Sequence, residues 1–238
     1  LSSILCIIDV VLANRVLAFC ESAFQLKPWV YVGARPKTQC LDIGHHLHLC
    51  IEAGLDSKSQ GGISQSDIRR FFDSINVVLV ARMLQARGLP ACICACIVQH
   101  QMLPQVWLHV LGQSMLVKGR SIGSITGCRV AGTLAVAIMN ESIGACQDSW
   151  KIHSILPDTT CCVFPCWVDN MFAAAKTLAG SITILESIES HLARKWGLAI
   201  KPSSRSCIVP EGSFAVPDDP VKWPLVAVSY THLRAHET

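Results

Sequence analysis

The chain has 238 residues, with 20 Lys and Arg against 17 Asp and Glu, for a net charge of +3. Only 16% of residues are charged and 51% are apolar, against about 25% charged in a typical soluble domain, which excludes a disordered chain and a highly charged coiled coil. At roughly 150 residues per domain the length allows one domain, or one and a fragment, with enough apolar material for its own core.

The most apolar stretches are Leu1 to Ala13, interrupted by Asp9, and the short Pro90 to Val98. A membrane span needs about 18 to 20 uninterrupted apolar residues, so no membrane partner is expected. The first stretch has no basic n-region and no cleavage site, so it is not a signal peptide. It reads as the middle of a helix, with the natural protein starting further upstream. Thirteen cysteines fall below the roughly 8–10% that marks a disulfide scaffold. Their number is odd, and they read as mostly buried free thiols in a reducing, intracellular compartment.

In chain order, residues 7–26 read as a helix ended by Pro28, and Trp29 to Arg35 as a short strand before a turn at Pro36. Leu41 to Ala53 has helical spacing and stops at Gly54. A polar loop, Asp56 to Gly62, leads to a strand at Ile63 to Ile68. Val77 to Arg87 reads as a helix closed by Gly88, and Pro90 opens another that runs to about Leu103. Val106 to Val117 reads as two strands around Gly112 and Gln113. A Gly/Ser-rich loop, Gly119 to Gly127, precedes an apolar helix at Val130 to Ile143.

Val163 to Ala174 reads as a hairpin with its turn at Asp169–Asn170, because Asp and Asn tolerate left-handed backbone. The clearest helix is 178–196, with Leu178, Ile182, Leu185, Ile188, Leu192 and Trp196 at helical spacing, Thr177 to cap it and Gly197 to end it. The elements neither alternate strictly nor segregate, which predicts an α+β fold. The tail from Val228 to Thr238 has no apolar period and resembles translated vector sequence.

Two acidic residues stand out by context. Asp67 sits at the end of a short strand, followed by Ile68-Arg69-Arg70-Phe71-Phe72-Asp73. Asp169 sits at a hairpin tip within Cys166-Trp167-Val168-Asp169-Asn170-Met171-Phe172. Two such carboxylates could together hold Mg²⁺, which takes oxygen ligands and commonly combines one or two carboxylates with substrate phosphates. On spacing alone the favoured reading is the plainer one, that Asp67 caps a turn and Asp169 shapes one.

Five segments in register resemble the palm and partial fingers of non-LTR (LINE-type) retrotransposon reverse transcriptases. They are Gly33-Ala34-Arg35-Pro36, then Asp67 to Asp73 as Asp-x₄-aromatic-Asp, and the loop Gly119 to Gly127. The fourth is Trp167-Val168-Asp169-Asn170, for the family's aromatic-x-Asp-Asp, and the fifth is Trp196-Gly197-Leu198-Ala199-Ile200 with the basic tail Lys201 to Arg205. The resemblance covers about residues 29–208. It departs at Asn170, which replaces the second acid, and at Thr126, where the family usually has Gln.

The resemblance implies an RNA-directed DNA polymerase working by two-metal nucleotidyl transfer, with two Mg²⁺ ions (or Mn²⁺), an RNA template, a DNA primer and dNTP, in the nucleus or cytoplasm. Asp67, Asp169 and the Ile68 carbonyl would be metal ligands, with Asn170 beside them. Backbone amides near Arg70 and Phe71 would face the triphosphate, and Phe72 would pack on the sugar. Thr126 and Gly127 would lie against template and nucleotide, and Lys201 or Arg205 would neutralise pyrophosphate. The implied fold is a polymerase palm-like antiparallel sheet backed by helices near 77–87, 130–143 and 178–196. Partial fingers would fall at 1–60, the palm at 61–210, and a linker with a non-native tail at 211–238.

The basic excess lies at 51–130 (+4) and 177–210 (+2), where nucleic-acid phosphates would be neutralised. Cys92, Cys94 and Cys96, Cys161, Cys162 and Cys166, and His45, His46 and His48 lack the paired C-x₂-C spacing of structural zinc sites. Cys92 and Cys96 share a helix face and are expected to be buried thiols. With Asn170 in place of an acid, an inactive nucleic-acid-binding remnant is the alternative reading, and a Cys/His metal module a third.

Overall fold

The computed structural model describes residues 3–35, 37–56, 61–103, 106–117, 121–155, 163–210 and 215–228. The first half of the chain forms α1 (Ser3–Ala23), β1 (Val30–Val32), α2 (Cys40–Asp56), β2 (Gly62–Asp67), α3 (Phe71–Ser74), α4 (Val77–Ala86), α5 (Ala91–Met102), β3 (Val106–Val110) and β4 (Gln113–Val117). The second half forms α6 (Arg129–Cys146), β5 (Phe164–Trp167), β6 (Asn170–Ala175), α7 (Leu178–Trp196), β7 (Ser206–Pro210) and β8 (Leu225–Val228). This is the expected α+β mixture.

α4 and α7 begin and end where the sequence signals lie, whereas α1 stops at Ala23, short of Pro28, and α2 runs past Gly54 to Asp56. The Thr177 hydroxyl accepts the Gly180 N–H at 3.1 Å to start α7, and Gly197 ends it with φ +67°. Asn76 accepts the Leu79 N–H at 3.0 Å to start α4, and Gly88 follows that helix with φ +104°. Each cap satisfies backbone groups that the helix itself leaves open.

The chain divides into two compact units, each discontinuous in sequence. One comprises 26–69, 142–195 and 199–238 and holds a six-stranded sheet in the order β1-β5-β6-β2-β7-β8. The four central strands are antiparallel, as expected, whereas each edge strand, β1 and β8, runs parallel to its neighbour. β1 lies in the stretch expected to supply finger elements, yet it is an edge strand of this sheet. Likewise β8 and the buried Trp223 build the opposite edge from the stretch expected to be a linker. The remaining tail, 229–238, lies outside the described residues.

β2 reads Gly-Ile-Ser-Gln-Ser-Asp, poor in strand formers, and is nonetheless paired on both sides, with β6 and β7. Its small residues let helices close on both faces. Ile63 packs with Ala174 of β6 and Ile208 of β7 against Cys50, Leu47 and Ile51 of α2. On the opposite face a Cβ at Gly62 would lie 2.7 Å from Leu178 Cδ1, so glycine is what admits α7. Trp150 stacks on Phe164 of β5 and donates its indole N–H to Ser187 of α7 at 2.9 Å.

The other unit comprises 1–25, 70–141 and 196–198. α4 and residues 129–141 of α6, two of the helices expected behind the sheet, belong to it. Its core is built from Val16 and Cys20 of α1, Val80 and Leu84 of α4, Ile97 of α5 and Leu134 of α6, all essentially inaccessible. α5 corrects one expectation: Cys92 and Cys96 share a face, but both are exposed. The buried stripe is Cys94, Ile97 and Gln101, set by spacings of three and four residues that leave Cys92 and Cys96 outside.

Both hairpin turns lie one residue earlier than their polar residues suggest. The β3–β4 turn is Leu111–Gly112, with φ +49° and +78°, and the β5–β6 turn is Val168–Asp169, with φ +55° at Val168. Pairing to the neighbouring strand, rather than local turn preference, fixes where β6 begins. Among the described residues no helix is long and apolar enough to cross a membrane.

Candidate active site

β2 ends at Asp67, whose register partner on β6 is Asn170. Asp169 is therefore the last residue of the turn beside it. The Ile68 N–H donates to the Asp169 carbonyl at 3.1 Å, which ties the turn to the end of β2. On the other side the Lys201 N–H donates to the Asp67 carbonyl at 2.9 Å and the Arg69 N–H to the Ala199 carbonyl at 2.8 Å, flanking an Ile68–Ile200 bridge. Ser204 closes the arrangement, since its hydroxyl accepts the Asp67 N–H at 2.9 Å and donates to the Lys201 carbonyl at 2.6 Å.

This backbone sets Asp169 beside Asp67, near enough for its charge to act on the Asp67 carboxyl. Burial, and then the charge of Asp169, raise the Asp67 carboxyl above its ordinary range, while Lys201 pulls it back. Asp67 Oδ1 is buried and has no hydrogen-bond partner. Two like charges side by side and an orphaned buried oxygen are what an oxygen-liganded divalent cation neutralises. The donor set fits Mg²⁺.

The turn carrying Asp169 is held from the other side as well. Gly33 donates its N–H to the Cys166 carbonyl at 2.9 Å, and a Cβ there would lie 2.2 Å from Trp167 Cε3. The glycine of the first resembling segment thus seats the aromatic ring of the fourth.

The remaining candidates are placed as follows. Lys201 is exposed but lies in the field of Asp67. Arg205 is already engaged: its guanidinium donates to Glu189 at 2.6 and 3.4 Å and lies over Trp223 at 5.6 Å. Its charge is used to join β7 to α7. Arg70, Phe71, Phe72, Thr126 and Gly127 belong to the other unit. There Arg70 has φ +49° and precedes α3, Phe71 is buried, and its ring contacts that of Phe72.

The Phe72 carbonyl accepts the Ser124 N–H at 2.8 Å, so the loop before α6 lies along this segment. Gly123, with φ +92°, would put a Cβ 3.0 Å from the Asp73 carbonyl oxygen. Thr126 and Gly127 are exposed. Gly119 and Arg120, and also Pro36, Cys161 and Cys162, lie outside the described residues.

Ser204 and Glu189 are positioning residues that the sequence reading passed over. Ser204 had a visible signal, a serine in a Pro-Ser-Ser turn that can bond nearby backbone. Glu189 had none, being one more acidic residue on a helix.

The mixed six-stranded sheet and its helices have a reverse-transcriptase-like fold. Among solved structures, the chain is similar to apo telomerase from Candida tropicalis, with a TM-score of 0.60, 10% identity and coverage of 86% of this chain and 37% of that one. It is also similar to telomerase from Candida albicans in complex with a TWJ fragment of telomeric RNA, with a TM-score of 0.57, 10% identity and coverage of 87% and 35%. The chain thus spans little more than a third of the length of these structures. No family model matches the sequence, and no curated protein matches it.

Proposed function

We propose that this chain is the palm, with part of the fingers, of an RNA-directed DNA polymerase of the retrotransposon type. The observation that carries the reading is the meeting of Asp67 and Asp169 at the β2 end and the β5–β6 turn. The retrotransposon class rests on the five resembling segments. Template RNA, a DNA primer and dNTP are the proposed partners.

Asp67 and Asp169, with the Ile68 carbonyl, would hold the divalent ions, Mg²⁺ or Mn²⁺, which would supply activation of the primer 3′-hydroxyl and charge neutralisation at the triphosphate. The protein contributes position: Ser204, Lys201 and the Ile68–Asp169 hydrogen bond fix the two carboxylates before substrate arrives. The Lys201 ammonium neutralises the leaving pyrophosphate, as in other phosphoryl transfers where charge stabilisation dominates. Nucleotide-binding roles for Arg70, Phe71, Phe72, Thr126 and Gly127 follow from the motif resemblance alone.

Asn170 favours a second reading, an attenuated or inactive nucleic-acid-binding copy, because an amide oxygen is a weaker ligand than a carboxylate. Primer extension on a poly-adenylate template separates the two. If the chain is active, extension is abolished in Asp67→Ala and raised in Asn170→Asp. If it is an inactive copy, the parent does not extend and Asn170→Asp restores extension. Extension that is indifferent to Asp67, or absent from both the parent and Asn170→Asp, overturns the polymerase reading.

A further inference from the structure

In the unit that holds α1, α4 and α5, three side chains from distant parts of the sequence meet. Asp9 of α1, His100 of α5 and Cys128, just before α6, each offer a ligand atom, and these atoms all lie within 4.8 Å of one another. The side chains of Asp9 and His100 are only 7% and 6% exposed, and Cys128 is buried. His100 Nε2 has no hydrogen-bond partner and lies 3.7 Å from Asp9 Oδ1. That is too long for a hydrogen bond. It is close to the spacing of two ligands on one tetrahedral ion, where bonds of about 2.0–2.3 Å give ligand–ligand edges of roughly 3.3–3.8 Å.

Each member is oriented by a further contact. Asp9 accepts the N–H groups of Arg129 at 2.8 Å and Val130 at 3.2 Å, in the first turn of α6. Cys128 Sγ accepts from the Gln101 amide nitrogen at 3.0 Å and from the Ala131 N–H at 3.4 Å. The same amide nitrogen lies 2.9 Å from His100 Nδ1, which sets the ring with Nε2 toward Asp9. Outer contacts of this kind orient the ligands of metal sites. A role for Asp9 as a remote cap of α6 explains its carboxylate, but neither the unpartnered imidazole nitrogen nor the converging thiol.

We propose that Asp9, His100 and Cys128 bind one divalent transition-metal ion of the zinc class, with a fourth position for water. Mixed sulfur, nitrogen and oxygen donors suit Zn²⁺ and disfavour Mg²⁺. On binding, the Cys128 thiol gives its proton to solvent, and the imidazole binds neutral through Nε2 once its proton has moved to Nδ1, which the Gln101 amide nitrogen faces in this structure, so that amide turns to present its oxygen. The ion ties α1 to α5 and to the start of α6. None of this depends on the polymerase reading, because neither Asp67 nor Asp169 takes part.

The test is titration of the full chain, freed of metal by a chelator, with Co²⁺ and then Zn²⁺. One equivalent of Co²⁺ is expected to give a thiolate-to-cobalt charge-transfer band that Zn²⁺ displaces. The band is lost in Cys128→Ser and in His100→Gln, with folding checked by circular dichroism, and is unchanged in Cys92→Ser and Cys96→Ser. Zinc raises the melting temperature of the parent and not of Cys128→Ser. A parent chain that shows no band overturns the proposal without recourse to any variant. A band that survives in folded Cys128→Ser overturns it equally.

Discussion

Asp67 pairs across the β2–β6 ladder with Asn170, so the residue that closes the neighbouring turn, Asp169, lies beside Asp67 and its charge acts on the Asp67 carboxyl. Backbone pairing, rather than any side-chain attraction, holds two like charges together there, and the following expectations concern what that juxtaposition does.

The Asp67 carboxyl is held above its ordinary value of 3.8 by burial and by Asp169. A raised acid contributes stability that is fully present below the unfolded value and is lost as pH rises through the folded one. Without divalent cation, Asp67→Asn is therefore expected to be more stable than the parent at neutral pH, the gap closing in acid. Urea unfolding at the two pH values measures it. Mg²⁺ at ten times its dissociation constant is expected to stabilise the parent by about 1.4 kcal/mol, and Asp67→Asn far less.

Ser204 supplies the acceptor for the Asp67 N–H. Ser204→Ala leaves that donor unmatched, which costs roughly 1–3 kcal/mol. On the proposed function, primer extension is expected to fall with little change in the KM for dNTP, since Ser204 acts only by positioning Asp67. Ser204→Thr, which keeps the hydroxyl, is expected to recover most of both.

Arg205 and Lys201 are expected to separate cleanly. Glu189 has a side chain only 8% exposed, and Arg205 is its charge partner. Removing either partner strands a buried charge, at about 3–5 kcal/mol. Arg205→Met should thus lower stability in denaturant titration, and Glu189→Gln with Arg205→Met should show strong coupling in a double-mutant cycle. Lys201→Met should leave stability nearly unchanged and raise the KM for dNTP.

Val168 holds φ +55° at the first turn position, a backbone region that costs a β-branched residue of order 1–3 kcal/mol. Val168→Gly is expected to raise the unfolding free energy by about 1 kcal/mol once glycine's own entropy is offset. If chemical denaturation instead shows a loss, the turn is held by Val168 packing.

The helices were legible in sequence because their signals are local: Thr177 and Gly197 bracket α7, and Asn76 and Gly88 bracket α4. The two acidic residues were legible because Asp67 ends a short strand and Asp169 sits at a hairpin tip with apolar residues on both sides. Turn placement was not. Asp169–Asn170 has the better turn chemistry, but Asn170 is drawn into β6 by its pairing with Asp67 and Trp167, and Val168 takes the left-handed position instead. The parallel edge strands were equally hidden, because β1 and β8 find their partners through the fold and carry no signal of direction. Asp9 marked only a break in an apolar run until the fold set it beside His100 and Cys128.

Counting bound Mn²⁺ by electron paramagnetic resonance in the parent, Asp67→Asn and Asp169→Asn tests the pairing of the two carboxylates most directly. The expected result is oxygen-liganded Mn²⁺ in the parent that either single substitution weakens by at least about tenfold, with the double variant little worse than each alone, as for groups acting on one ion. Unchanged binding in either single variant, or losses that simply add as from two separate sites, would contradict it.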